Sequence, residues 1–184
     1  MSSKILYKTQ YLTLKQTKQG FIYAERRNID STASLCFRKT DGKYEFLIRY
    51  QPLPIVNDNK KHKWSDLFAC PITGSMEENE TQLDNAIREI YEEANYKVDK
   101  FNLISFNKTV ATTQSNETVY NFVFDLSSIE KTNKLEGDGS IFENISKNKW
   151  ISQKSLESVL FDNKKMFLSS LMNCYFLFLN YLNN

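Results

Sequence analysis

The first half of the chain carries short runs in which apolar and polar residues alternate, the period-2 rhythm of half-buried strands. Ile5-Leu6-Tyr7 and Tyr11-Leu12-Thr13-Leu14 read as strands. Phe21-Ile22-Tyr23-Ala24 reads as the return strand of a hairpin, after a turn at Lys18-Gln19-Gly20. Residues 32–37 predict a further strand. Asp41-Gly42, a strong hairpin signal, separates it from YEFLIRY (44–50), which is apolar enough to be a central strand. Residues 51–63 are polar, contain Pro52 and Pro54, and end in Lys60-Lys61-His62-Lys63. They read as a solvated surface loop, with a phosphate-facing loop as the alternative.

The rhythm changes over 80–94. Leu83, Ala86, Ile87 and Ile90 fall at helical spacing and predict a helix, which Asn95 can close in the left-handed conformation. Residues 102–106 and VYNFVFDL (119–126) predict two more strands, and 135–144 a loop. A short strand at 149–151 and helices at 155–160 and 164–182 follow. Interleaved strands and helices of this kind imply an α/β or α+β fold.

Composition narrows the chemistry. The 184 residues include 24 basic and 22 acidic side chains, a net charge of +2, too balanced for a protein that lives on a polyanion. Apolar content of 41% with 14% aromatics excludes an intrinsically disordered chain. The first 17 residues have no continuous apolar core, so they do not form a signal peptide. Residues 166–182 are uncharged and rich in Phe, Leu and Tyr, but short of the roughly 20 apolar residues a span needs. We read them as a buried terminal helix, with a membrane tail as the alternative. One histidine, His62, rules out a multi-histidine metal site. Cys36, Cys70 and Cys174 are far apart, which argues against structural zinc and a disulfide framework and fits a reducing cytoplasm. Five glycines cannot supply a dinucleotide-binding or P-loop motif.

Carboxylates remain. Glu89, Glu92 and Glu93 lie on one face of the predicted helix, where like charges repel. Residues 74–99 hold eight acidic side chains against two basic ones, a local charge of −6 in a chain of net +2. Oxygen donors without His or Cys select hard cations, so Mg2+, or Mn2+, is the natural partner. A solvated acidic helix face is the other reading of the same cluster.

The full spacing is more specific. Gly74, five residues, Glu80, seven residues, then Arg88-Glu89-Ile90-Tyr91-Glu92-Glu93-Ala94-Asn95-Tyr96 resembles the Nudix box, G-x5-E-x7-R-E-U-x-E-E-x-G-U, where U is a bulky apolar residue. Six of the seven fixed charged or glycine positions match, an agreement expected by chance on the order of 1 in 100,000. Asn95 stands for the second glycine and Tyr96 for the last apolar position. The resemblance implies a Nudix hydrolase: an α/β/α sandwich with a mixed sheet, in which water attacks a diphosphate helped by divalent metal. Carried over by position, Glu89, Glu92 and Glu93 would hold Mg2+ or activate water. The Gly74 carbonyl could add a ligand, and Arg88 would hold a box carboxylate in place.

The flanks look most like the ADP-ribose pyrophosphatase branch. That likeness implies a small N-terminal antiparallel β unit (1–28) that builds a homodimer, ahead of a Nudix domain (29–184). Arg26, Arg49 and Gln51 then become substrate-contact candidates; a surface strand position is the plain reading of Arg49. Glu117 and Glu143 are equal candidates for an additional catalytic carboxylate. The implied activity is cleavage of ADP-ribose or a related nucleoside diphosphate sugar to a nucleoside monophosphate and a sugar phosphate. The implied protein is cytoplasmic, with no membrane partner. Nucleoside triphosphates, dinucleoside polyphosphates or a capped RNA end are the alternative substrates. A catalytically silent, nucleotide-sensing Nudix domain is the alternative role.

Overall fold

A computed structural model describes residues 3–59, 63, 65–133 and 145–184. The strands are β1 (Lys4–Lys8), β2 (Leu12–Gln16), β3 (Ile22–Arg26), β4 (Ser31–Thr40), β5 (Lys43–Gln51), β6 (Phe68–Cys70), β7 (Ile72–Ser75), β8 (Leu103–Val110), β9 (Thr118–Asp125) and β10 (Lys147–Ser152). The helices are α1 (Pro54–Asn59), α2 (Gln82–Ala94), α3 (Gln153–Leu160) and α4 (Ser169–Leu182).

β1, β2 and β3 form an antiparallel sheet of their own. The other seven strands form a mixed sheet in the order β10-β5-β4-β9-β8, with β6 beside β5 and β7 beside β4. β4 and β9 run parallel; the other pairs are antiparallel. The β4–β5 hairpin turns through Asp41 (φ 50°) and Gly42 (φ 75°), two left-handed residues whose twist suits a two-residue hairpin.

Beyond the pair Cys36↔Leu47 the two hairpin strands part, and the chain returns into the fork. β6 pairs with β5 at Arg49↔Cys70, and β7 pairs with β4 from Ser34↔Ile72 to Ser31↔Ser75. Pro71 lies between β6 and β7. It has no N–H to give a ladder, so the chain changes partners where a bond would be missing anyway. This insertion brings Gly74 to the middle of the molecule.

Alternation along the central strands separates two cores. Ala33, Leu35, Phe37, Phe46 and Ile48 meet Leu156 and Leu160 of α3 and Leu171, Cys174, Tyr175 and Phe178 of α4. Cys36, Leu47, Ile72, Phe122 and Phe124 meet Ala86, Ile90 and Ala94 of α2 on the opposite face. The result is the helix–sheet–helix sandwich with a mixed sheet that the sequence implied. Each large side chain fully removed from water contributes about 1.5–3 kcal/mol, so the two faces rather than helix propensity hold α2 and α4 in place.

The structure differs from the sequence reading at three places. Part of the expected loop at 51–63 is α1, which starts at Pro54, a residue suited to the first helical position. β6 and β7 are too short to announce themselves by period. The terminal helix begins at Ser169 rather than near 164, because Phe167 bridges to Ala69 and Leu168 N–H donates to Ala69 O at 3.1 Å. The three N-terminal strands read from the sequence form one antiparallel sheet. Among the described residues, no helix is long and apolar enough to cross a membrane.

The N-terminal sheet touches the rest through its last strand. Ala24 N–H donates to Gln114 O at 2.8 Å, and Arg26 reaches Ser75 of β7 and Glu117, the residue before β9. Much of its apolar surface faces outward: Ile5, Tyr7 and Tyr11 are 56%, 65% and 71% exposed.

Candidate active site

α2 is placed from both ends. Thr81 caps its start, its hydroxyl accepting from Asp84 N–H at 3.1 Å. Asn95 ends it in the left-handed conformation (φ 64°, ψ 37°), its N–H donating to Tyr91 O at 2.9 Å, as the substitution for glycine requires. Tyr96 is buried against Trp150, ring edge to face at 6.0 Å, and its hydroxyl accepts from Trp150 Nε1 at 3.0 Å. Both departures from the family pattern are therefore accommodated.

The apolar stripe of α2 contains one polar residue, Asn85, which is fully buried. Its amide nitrogen donates to Ser75 O (3.0 Å) and Glu80 Oε2 (2.8 Å), and its oxygen accepts from the Thr32 hydroxyl (2.5 Å). Asn85 thus ties α2 to β7, β4 and the loop between β7 and α2. Sequence reasoning passed over it, although an amide inside an apolar stripe is a signal that could have found it.

Gly74 is required by Glu89. A Cβ on Gly74 would lie 2.0 Å from both Cδ and Oε1 of Glu89, so the carboxylate rests across a bare Cα. Burial pushes the Glu89 carboxyl up to about 7, against the pull of Arg88. Arg88 holds three carboxylates: Glu80 through Nε at 2.9 Å, and Glu89 and Glu92 through Nη1 at 2.9 and 2.8 Å. It binds its own proton more tightly in consequence. Glu80 is held down to about 2, first by Arg88, with help from Asn85 and the Glu77 N–H.

Glu93, one turn beyond Glu89, faces β5. Its Oε1 lies 3.2 Å from Arg49 Nη2. Arg49, expected at a strand surface or on a substrate, is only 5% exposed; its Nε donates to Gln51 Oε1 at 3.0 Å. Asn148, a residue the sequence did not single out, donates from Nδ2 to Glu93 O at 2.5 Å. Nothing in the pattern around Asn148 could have flagged it.

Arg26 donates to Glu117 Oε1 (2.8 Å) and to Ser75 Oγ (2.7 Å), and the Ser31 hydroxyl donates to the same Glu117 oxygen (2.6 Å). The N-terminal sheet is thereby fastened beside the residue following Gly74. Glu143 lies outside the described residues, as do Lys60, Lys61 and His62 of the basic run.

The structure thus brings Gly74, Glu80, Arg88, Glu89 and Glu92 into one network and Arg49, Gln51 and Glu93 into another. It does not gather Glu89, Glu92 and Glu93 at a common point as the helical spacing suggested. Among the described residues, no group of three His, Cys, Asp or Glu side chains is close enough to hold a metal ion. Glu89 and Glu92 both lean on Arg88, whereas Glu93 leans on Arg49.

The donor set nevertheless fits a hard divalent ion: carboxylate oxygens, a neighbouring backbone carbonyl and a glycine whose bare Cα admits Glu89. A cleft of about 750 Å3 lies between residues 27–30 and 76–78; its lining includes neither Gly74 nor Glu89, Glu92 or Glu93.

The NUDIX domain model matches residues 30–169, most of the chain. The chain belongs to the Nudix family and is a Nudix-type pyrophosphohydrolase. No curated protein matches it by sequence. A crystal structure of an ADP compounds hydrolase is similar over 100% of this chain and 92% of its own, with a TM-score of 0.67 at 14% identity. A Caenorhabditis elegans Ap4A hydrolase in a binary complex is similar over 83% of this chain and 98% of its own, with a TM-score of 0.48 at 17% identity.

Proposed function

We propose that the protein hydrolyses the diphosphate of ADP-ribose or a related nucleoside diphosphate sugar, in a reaction that depends on Mg2+ and tolerates Mn2+. The products are a nucleoside monophosphate and a sugar phosphate. The observation that carries the reading is the bare Cα of Gly74 with the Glu89 carboxylate lying across it, beside an arginine that organises three glutamates. A phosphoanhydride site that works through a divalent ion needs oxygen donors close together, and Arg88 gathers three carboxylates beside Gly74.

Glu89, Glu92, Glu93 and the Gly74 carbonyl are the groups that would hold the ion. When bound, a divalent ion supplies positive charge against the pyrophosphate and acidifies water. The chain's own residues do the rest. Arg88 holds Glu89 and Glu92 oriented on one nitrogen. Arg49 fixes Glu93. Glu89 exchanges its proton near neutrality, because burial has moved its carboxyl to about 7. The likeness to an ADP compounds hydrolase along the full chain supports an ADP-containing substrate.

The N-terminal sheet, with its outward apolar face, is the proposed homodimer element of a cytoplasmic enzyme. The Arg26–Glu117 pair seats it against the main sheet. The test is a substrate panel with purified protein and Mg2+: ADP-ribose, other nucleoside diphosphate sugars, nucleoside triphosphates, dinucleoside polyphosphates and capped RNA. Fastest turnover on a nucleoside diphosphate sugar supports the proposal. Faster cleavage of another member replaces the substrate, and no cleavage of any removes the activity.

A further inference from the structure

β4 and β7 pair at Thr32↔Gly74, and α2 packs on both strands. That rung touches the helix twice. Gly74 gives its bare Cα to the Glu89 carboxylate, and Thr32 gives its hydroxyl to Asn85 Oδ1 at 2.5 Å. Asn85 and Glu89 are four positions apart, so they lie one above the other on the same helix face. Thr32 and Asn85 are both buried. A buried amide needs acceptors for its two N–H donors. Asn85 Nδ2 finds them in Ser75 O at 3.0 Å and Glu80 Oε2 at 2.8 Å. The second of these acceptors is the carboxylate that grips Arg88.

Glu80 Oε2 also accepts from Glu77 N–H and Arg88 Nη2, both at 3.2 Å, and Glu80 Oε1 accepts from Arg88 Nε at 2.9 Å. The Glu80–Arg88 bridge is therefore two-pronged and takes the Nε–Nη2 edge of the guanidinium. Nη1 is left over, and that nitrogen reaches Glu89 and Glu92 at 2.9 and 2.8 Å. The plane of the Glu80 carboxylate thus fixes where Nη1 points. Without Asn85, one main-chain donor at 3.2 Å would be left to oppose a turn of that carboxylate. We propose that Asn85 is a positioning residue of the hydrolase: anchored to Thr32, it orients Glu80, and through Glu80 and Arg88 it holds the Glu89 and Glu92 side chains where the reaction needs them. The inference rests on the reading above that this network is the working site. It gives a role to one of the seven positions that the family pattern leaves open between Glu80 and Arg88. The place calls for a short side chain that donates twice and accepts once, which an amide does and a hydroxyl or carboxylate does not.

Asn85→Ala alone orphans the Thr32 hydroxyl and loses stability. Adding Thr32→Val replaces that hydroxyl by a methyl of nearly the same shape and restores much of the loss, because removing both partners of a buried hydrogen bond is close to neutral. The double variant therefore separates positioning from packing. In the isotope-labelled full chain, free of metal and nucleotide, the Arg88 Nε–H signal reports the Glu80 bridge; its loss in Arg88→Lys identifies it. In the double variant that signal is expected to shift and to exchange with water faster. On the substrate cleaved fastest in the panel above, kcat is expected to fall about 10- to 100-fold with KM unchanged. Leu156→Ala, in the core on the opposite face of the sheet, loses stability through a cavity instead. Measured well below its melting temperature, it keeps both the signal and kcat. An unmoved Arg88 Nε–H signal in the double variant, or a kcat equal to wild type, overturns the inference. An equal fall in kcat for Leu156→Ala also overturns it, by assigning the effect to stability alone. Glu89→Gln tests the reading beneath: near-normal turnover there removes the working site itself, whereas an inactive Glu89→Gln beside a fully active double variant removes only the role of Asn85.

Discussion

Gly74→Ala isolates the contact on which the candidate site is built. The new Cβ would meet Cδ and Oε1 of Glu89 at 2.0 Å and Cγ at 2.2 Å. Ordinary carbon contacts lie near 3.5–4 Å, so the overlap is about 1.5 Å. The backbone itself accepts alanine: Gly74 is not among the residues with positive φ, and alanine in a strand is favoured over glycine by about 0.5–1 kcal/mol. The cheapest relief is rotation of Glu89 toward solvent. That forfeits an ion pair with Arg88 worth at most about 1 kcal/mol at its partial exposure, and it removes the burial that opposes ionisation of Glu89. These changes nearly cancel, so stability should hold to within about 1 kcal/mol, a shift of about 2–4 °C in Tm. Turnover should fall about 100-fold or more, because a carboxylate displaced by more than 1 Å no longer meets the reacting groups. Thermal melting and steady-state kinetics with Mg2+ and the preferred substrate check both halves. Near-normal turnover would refute the role of the contact. A Tm lower by about 10 °C or more would show that β7, not Glu89, gave way.

Three further outcomes follow from other contacts. Asn85→Ala leaves the Thr32 hydroxyl and the Ser75 carbonyl without their buried partner and should cost about 3 kcal/mol, read by urea unfolding. Glu89 has its folded carboxyl raised to about 7, so between about 4.5 and 7 the folded state binds a proton that the unfolded chain has released. Metal-free protein should therefore lose stability as pH rises through that window, and Glu89→Gln should flatten the loss; a wild-type profile flat from pH 5 to 8 would contradict it. Removing residues 1–28 takes away β1 to β3 and the Arg26 partner of Glu117. The expected result is a halved mass in solution with weaker substrate binding, and an unchanged mass would exclude the sheet as the dimer element.

Local pattern was enough for much of this molecule. The 3.6-residue stripe of Leu83, Ala86, Ile87 and Ile90 and the cap at Asn95 are properties of one short segment, so α2 could be read before any fold was known. The Asp41-Gly42 hairpin is equally local. The spacing from Gly74 to Glu93 named the family, since a box of fixed charges needs no distant partner to be recognised. What escaped was non-local. β6 and β7 exist only because β4 and β5 part to admit them, and three or four residues have too little period to show it. Arg26 and Glu117 are 91 positions apart, and each looked like a separate candidate until the fold made them partners.

The sequence by itself determined the helix, its glutamates, its glycine and the charge imbalance that invites a cation, because these follow from residue type and spacing along one element. Only the tertiary structure decided which arginine each glutamate faces, that Arg49 is buried behind Glu93, and that Asn85 and Asn148 hold α2 from the sheet. Side-chain partners across strands and layers are set by how the chain returns on itself, and one residue's register or one fork between strands is enough to change them.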